Sequence, residues 1–256
     1  MIAFHDVSKR YGTSEPVLRD FSLEVPEGSL CVLLGRSGAG KSTALRLVNR
    51  LIEPCTGRVT VDGEDVRDKN EYELRRGIGY VLQRVGLLPH LRVGENVGLV
   101  PSLLGWPESQ TRERVDELLE LVGLPPAEFR ERAPAQLSGG QQQRVGFARA
   151  LAASPRVLLM DEPFGALDPV TRADLREEMV GLQRRLGVTA MLVTHDVIEA
   201  LVIADEIVVM DRGRIVQRGT PREIVERPAD EFVARLIGSP SRDIARISAL
   251  EPGKTA

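Results

Sequence analysis

The stretch Gly35-Arg36-Ser37-Gly38-Ala39-Gly40-Lys41-Ser42-Thr43 has the residue types and spacing of a phosphate-binding loop: a glycine, four residues, then Gly-Lys-Ser/Thr. Gly35, Gly38 and Gly40 are expected to supply φ angles closed to other residues. Successive N–H groups can then turn inward around an anion. A helix starting at the end of the loop adds its own N–H groups and positive dipole end. Lys41 offers a compact cation for outer phosphates, and Ser42 a hydroxyl for Mg²⁺. Lysine is scarce, occurring only at 9, 41, 69 and 254 in an arginine-rich chain. Lysine at 41 therefore reads as a specific choice, since arginine does not replace it at a phosphate cradle.

Further chemistry sits at three strand ends. Val157-Leu158-Leu159-Met160 is apolar at every position, as a central parallel strand is, and runs directly into Asp161 and Glu162. Open α/β sheets place ligands at such carboxyl ends. Asp161 suits a Mg²⁺ role through Ser42 or water, and Glu162 suits polarising an attacking water. Gln83 ends the strand Ile78–Leu82 and could reach Mg²⁺ or that water; taken alone, such a residue is more often structural. His195 ends the strand Val188–Val193 and could hydrogen-bond a terminal phosphate, although a lone strand-end histidine is more often a satisfied structural residue. The segment Leu137-Ser138-Gly139-Gly140-Gln141 gives a second anion site: Ser138 is a good N-cap, and glycines beside a helix start expose N–H groups. Two phosphate sites in one chain suggest head-to-tail pairing of two copies through an isologous interface.

The elements that must position these groups are legible from pattern. Leu30–Leu34 reads as a buried strand before the loop, and Ala44–Val48 as a helix after it. Ile2–Val7, Val17–Val25 (interrupted near Arg19-Asp20) and Gly57–Gly63 read as strands of an N-terminal β region. From about 84 to 153 the pattern is mostly helical; Val115, Leu118, Leu119 and Val122 share one face. This region is expected to be a helical subdomain inserted in the α/β core. Helices are expected at 170–186, after Asp196 to about Ile203, and at Pro221–Glu226 and Glu231–Ile237. Strands are expected at Ile207–Met210 and Arg214–Gln217. Residues 241–256 are expected to be a short C-terminal tail, in which 248–256 carry no pattern.

Composition narrows the classes. At 256 residues the chain can bury one large α/β domain. A formal net charge of −3 argues against nucleic-acid binding through bulk charge. No apolar run approaches the roughly 18–20 residues of a membrane span, and the first residues do not read as a signal peptide. Cys31 in a buried strand and Cys55 in a turn read as reduced thiols of a cytosolic protein.

Taken in order, Tyr11, the loop 35–43, Gln83, the segment 137–141, Asp161-Glu162, Gly165-Ala166-Leu167-Asp168 and His195 resemble the nucleotide-binding subunit of an ATP-binding cassette (ABC) transporter. The resemblance implies a phosphate-loop NTPase core over 1–240 with a mostly parallel sheet, an antiparallel N-terminal β region and the inserted helices. It implies that Tyr11 stacks on adenine, Glu162 is the general base, His195 meets the γ-phosphate and Asp168 lies at the dimer contact, with ATP and Mg²⁺ bound. It also implies a homodimer of cassettes, integral membrane permease subunits, an extracytoplasmic solute-binding protein and a place on the cytoplasmic face of the membrane. Ile78–Gln83 with Val85-Gly86-Leu87-Leu88-Pro89-His90, and Gly238-Ser239-Pro240-Ser241-Arg242-Asp243, are similar to cassettes of osmoprotectant importers, which carry quaternary amines such as glycine betaine and choline. Arg84 departs from a glutamine usual there, and the sequence stops where many such relatives continue into paired regulatory domains. Val85, Leu87, Leu88 and Pro89 suit gripping a permease helix, with ordinary core packing as the competing reading. Import of an amino acid or polyamine, and a soluble ABC ATPase outside transport, stay open as alternatives.

Overall fold

The computed structural model describes residues 1–83, 85–165 and 167–238. The readings on Arg84, on Ala166 and on 239–256 lie outside them.

The chain opens with β1 (Ile2–Lys9), β2 (Leu18–Val25) and β3 (Leu30–Gly35), followed by α1 (Lys41–Val48). Next come β4 (Thr56–Val61), β5 (Glu64–Asp65), α2 (Glu71–Arg76) and β6 (Ile78–Val81). Between β6 and the next strand lie α3 (Val93–Leu103), α4 (Glu108–Leu121), α5 (Pro126–Phe129) and α6 (Gly139–Leu151). Then follow β7 (Val157–Asp161), α7 (Pro169–Leu186), β8 (Thr189–Thr194), α8 (Val197–Ile203), β9 (Glu206–Asp211), β10 (Arg214–Gly219) and α9 (Pro221–Glu226). A last helix covers 231–238.

Two sheets result. The first is antiparallel, in the order β2-β1-β4-β5; the second runs β10-β9-β3-β8-β7-β6 and is parallel except at β10. The expected α/β architecture, with an antiparallel N-terminal sheet and a mostly parallel core, is therefore present. The expected interruption near Arg19-Asp20 does not break β2, which runs unbroken from Leu18 to Val25, but its pairing with β1 is irregular there. Asp20 and its counterpart Asp6 both have φ of 48°, and the β1–β2 register slips between Phe4 and Lys9. Asp tolerates this left-handed geometry better than most residues. The short β5 and α2 carried no pattern strong enough to be expected.

Period-two patterning explains the layers. In β3, Leu30, Val32 and Leu34 face one apolar cluster, while Cys31 and Leu33 face the other. Strands β7, β8 and β9 divide in the same way. On one side of the parallel sheet the cluster takes in α3, α4, α6, α7 and α8, including the expected face Val115, Leu118, Leu119 and Val122. On the other side it takes in α1 and the antiparallel sheet, where Phe4 and Phe21 meet edge to face at 5.1 Å. Strands buried on both faces need apolar residues at every position, which is why β3, β7 and β8 read as continuous runs.

This topology gathers the chemistry. Strands β3, β8, β7 and β6 are consecutive and parallel, so their carboxyl ends lie along one edge. Those ends lead into the phosphate loop, His195, Asp161-Glu162 and Gln83, four segments far apart in sequence. Among the described residues no helix is long and apolar enough to cross a membrane.

Candidate active site

The loop after β3 folds as a glycine cradle, but its glycines serve different ends. Gly38 and Gly40 take φ of 81° and 101°, the left-handed region that glycine enters without a Cβ clash. Gly35 does not, contrary to expectation: its φ is not positive, and what it needs is space. A Cβ there would lie 2.3 Å from the carbonyl oxygen of Met210 on the neighbouring strand β9.

Lys41 opens α1 and is 5% exposed. Its Nζ donates to the carbonyls of Gly35 at 2.7 Å and Arg36 at 3.0 Å. The ammonium has three donors, so two brace the loop and one is left for an anion. Burial lowers its pKa, and the carboxylates of Glu162 and Asp161 pull the other way.

At the next residue of α1, Ser42 Oγ donates to Asp161 Oδ1 at 2.8 Å. Burial raises the Asp161 pKa, while the Ser42 bond, Arg46 and Lys41 lower it. The pair joins a hydroxyl and a carboxylate oxygen, the hard donors that Mg²⁺ prefers. Among the described residues no three His, Cys, Asp or Glu side chains gather into a cation site. A Mg²⁺ held here would therefore complete its octahedron with phosphate oxygens and water, which is how it sits beside nucleotides. Ser42, Asp161 and the glycine cradle fit a Mg²⁺-nucleotide. Arg46, four residues after Ser42 on α1, places a positive charge near Asp161; only that spacing could have flagged it.

Glu162 has φ of 46°, unusual for a non-glycine residue. Its N–H still reaches the Val193 carbonyl of β8 at 2.9 Å, so the residue keeps its strand pairing while its chain direction turns. The side chain is then shared. Gln83 Nε2 donates to Oε2 at 3.1 Å, and His195 Nδ1 lies 3.1 Å from Oε1. Gly35, Arg36, Ser37, Ser42, Gln83, Glu162, His195 and Leu236 line one open cleft of about 580 Å³. Thr43 is buried within α1, and Ala39 is buried in the loop. Tyr11 is 43% exposed, with Lys9 Nζ 5.4 Å from its ring centre, and is not among the residues lining the cleft.

The second anion site forms as a helix start. Ser138 Oγ accepts from the Gln141 N–H at 3.3 Å, and Gln141 Oε1 accepts from the Ser138 N–H at 3.0 Å, a reciprocal capping box. Gly140 is required by packing: a Cβ would meet Thr171 Cγ2 at 2.7 Å. At Gly139 a Cβ would meet nothing within 4 Å and φ is not positive, so nothing within the chain calls for glycine there. None of Ser138, Gly139, Gly140 or Gln141 lines the cleft. Asp168 caps α7 by accepting from the Thr171 N–H at 3.1 Å, and those bonds lower its pKa.

Behind His195 is a group that sequence reasoning missed. Glu199 is 4% exposed, and its Oε2 accepts from Thr194 Oγ1 at 2.9 Å. The Asp196 N–H donates to Thr194 Oγ1, and Asp196 Oδ1 accepts from the Glu199 N–H. Burial pushes the Glu199 pKa up to about 7. The expected apolar set after Gln83 is only partly open: Val85, Leu87 and Leu88 are half-buried, Pro89 is exposed, and Leu87 packs against the core. Buried Asn96 holds this segment by accepting from the Leu88 N–H at 2.8 Å and donating to the Leu88, Leu91 and Arg92 carbonyls.

The model of one family, described as ABC transporter, matches residues 18–165. This chain belongs to the ABC transporter family. It is 52% identical to the glycine betaine uptake system ATP-binding protein of Escherichia coli, over 93% of this chain and 77% of that one. It is 49% identical to the choline transport ATP-binding protein of Bacillus subtilis, over 96% of this chain but 66% of that relative. The chain thus spans just under two thirds of the choline relative's length. A solved dimeric ATP-binding cassette in a post-hydrolysis state with ADP and Pi superposes with a TM-score of 0.77 at 34% identity, covering 87% of this chain and 99% of that one.

Proposed function

We propose that this cassette binds ATP with Mg²⁺, hydrolyses it, and so powers import of a quaternary amine such as glycine betaine or choline through separate permease subunits. The observation that carries the ATPase reading is Glu162, held from two sides by Gln83 and His195 at the mouth of the cleft that Ser42 and the phosphate loop line. A carboxylate so held can accept a proton from a water aimed at the γ-phosphorus. The new P–O bond forms as the bond to the β-phosphate oxygen breaks, and ADP leaves. Loop N–H groups and Lys41 stabilise the charge that develops. Mg²⁺ bound at Ser42 and Asp161 would neutralise charge on the β- and γ-phosphate oxygens.

The start of α6, with Ser138 and Gly139 exposed and Gly140 half-buried, suits the γ-phosphate of a nucleotide on a second copy. The proposed assembly is a head-to-tail homodimer, with Asp168 at the contact, on the cytoplasmic side of the membrane and served by a solute-binding protein. Tyr11 is assigned to the adenine of that shared site. The half-buried segment after Gln83, with exposed Pro89, is assigned to the permease contact.

The substrate class rests on the relatives named for glycine betaine and choline transport, because a cassette does not touch the solute. The test is uptake of labelled glycine betaine and choline in cells carrying this chain with its native permease, against Glu162→Gln. Uptake lost in the variant supports transport, direction and substrate class together. Equal uptake in both sinks the coupling of this site to these solutes.

A further inference from the structure

We infer that Arg149 is a positioning residue that ties the helix of the second anion site to the loop carrying Gln83. This rests on the ATPase reading above. Helix α6 starts at the Ser138 cap, and Arg149 lies roughly 16 Å along it, at about 1.5 Å per residue. Its guanidinium leaves the helix and grips the chain just past Gln83: one Nη donates to the Val85 carbonyl at 2.6 Å, the other to the Gly86 carbonyl at 2.8 Å. The side chain is half-buried, and burial holds its pKa below the ordinary arginine value. Desolvating a guanidinium costs free energy unless its N–H groups find acceptors, and the two carbonyls supply them.

A second contact lies one turn earlier on the same face. A Cβ at Gly146 would meet Val85 Cγ1 at 2.7 Å. The helix therefore approaches the loop as closely as its bare backbone allows, directly beside the arginine grip. Two contact points fix the angle as well as the distance between α6 and residues 85–86. Gln83 sits just upstream of that clamp, with Nε2 3.1 Å from Glu162 Oε2. A packed helix moves as a rigid element and can carry coupling between sites. A displacement at Ser138, when a phosphate of the second copy docks there, is delivered through Arg149 and Gly146 to Gln83 and so to Glu162.

The test is a double-mutant cycle on ATP hydrolysis with the full chain: parent, Arg149→Gln, Gln83→Ala and the double variant, each with its nucleotide affinity measured. Arg149→Gln is expected to lower kcat about ten-fold while nucleotide affinity stays within about two-fold. In the Gln83→Ala background the same change is expected to move kcat by less than about two-fold, because its route is already cut. Equal losses in both backgrounds overturn the inference and leave Arg149 a role in stability alone. Should Arg149→Gln not fold, Gly146→Ala takes its place: it should lower kcat with Arg149 intact, and adding Val85→Ala should restore it. Absence of that rescue overturns the inference as well. A parent chain without ATPase activity overturns the ATPase reading and this inference with it, whereas an active parent with additive losses overturns this inference alone.

Discussion

Gln83 Nε2 and Glu162 Oε2 lie 3.1 Å apart across 79 positions of sequence, joined because β6 and β7 are parallel neighbours. The other carboxylate oxygen faces His195, from the end of β8. Glu162 is thereby fixed by groups from two adjacent strands rather than by its own loop. Replacing it with glutamine keeps the shape and removes the base. Hydrolysis should fall roughly 10²- to 10⁴-fold while nucleotide binding persists and nucleotide-loaded dimer accumulates on size exclusion. Turnover at the parental rate would falsify the base assignment.

Lys41 touches the loop carbonyls of Gly35 and Arg36 as well as facing the cleft's carboxylates. Lys41→Ala removes a charged donor worth about 1.5–3 kcal/mol, so nucleotide affinity should fall roughly 10- to 100-fold. Titration with a fluorescent ATP analogue reads this directly. An unchanged dissociation constant would count against the whole phosphate-loop reading.

Gly35 and Gly38 differ in what an added methyl group meets. At 35 it would lie 2.3 Å from a main-chain oxygen, and at 38 nothing lies within 4 Å. Gly35→Ala must push two paired strands apart, at a cost of about 1–3 kcal/mol or more. Gly38→Ala bears only the left-handed backbone penalty, about 1–2 kcal/mol. Thermal melts should therefore show the larger drop for position 35. The reverse order would mean that β9 does not pass where it is placed.

Glu199 gives a pH dependence of stability. Its folded pKa, about 7, lies above the ordinary 4.5. Between these values the folded chain holds a proton that the unfolded chain has lost. Its contribution is fully present below about 4.5 and is lost as pH rises through about 7, by on the order of 3 kcal/mol. Burial sets the rise and the Asp196 charge adds to it, while Thr194, Arg176 and Arg172 pull the other way. Glu199→Gln cannot ionise, so it should gain stability relative to the parent at pH 8 over its standing at pH 5. Urea midpoints at the two pH values test this; an identical difference at both would show that the fold does not raise the Glu199 pKa.

Much of this molecule could be read from residues in order. The phosphate loop, the Asp161-Glu162 strand end, the Ser138 cap and the helical face through Val115 and Leu119 each rest on local rules of spacing, capping and period. Such rules act within a few residues, so sequence order preserves them. Gly35 shows the limit: its type was legible, but the reason for it was not, because the atom that forbids a side chain belongs to Met210. Gly139 shows the converse, a glycine for which the fold around it supplies no need. Arg149 and Glu199 gave no signal at all, one among many arginines and the other inside an ordinary helical pattern. Their meaning comes from desolvation and from partners on other elements. The sequence by itself determined which groups could bind phosphate and move a proton, since those are properties of side-chain chemistry and local backbone. Only the tertiary structure decided which of them meet, because strand order along one sheet edge sets the distances on which hydrogen bonds and charges depend.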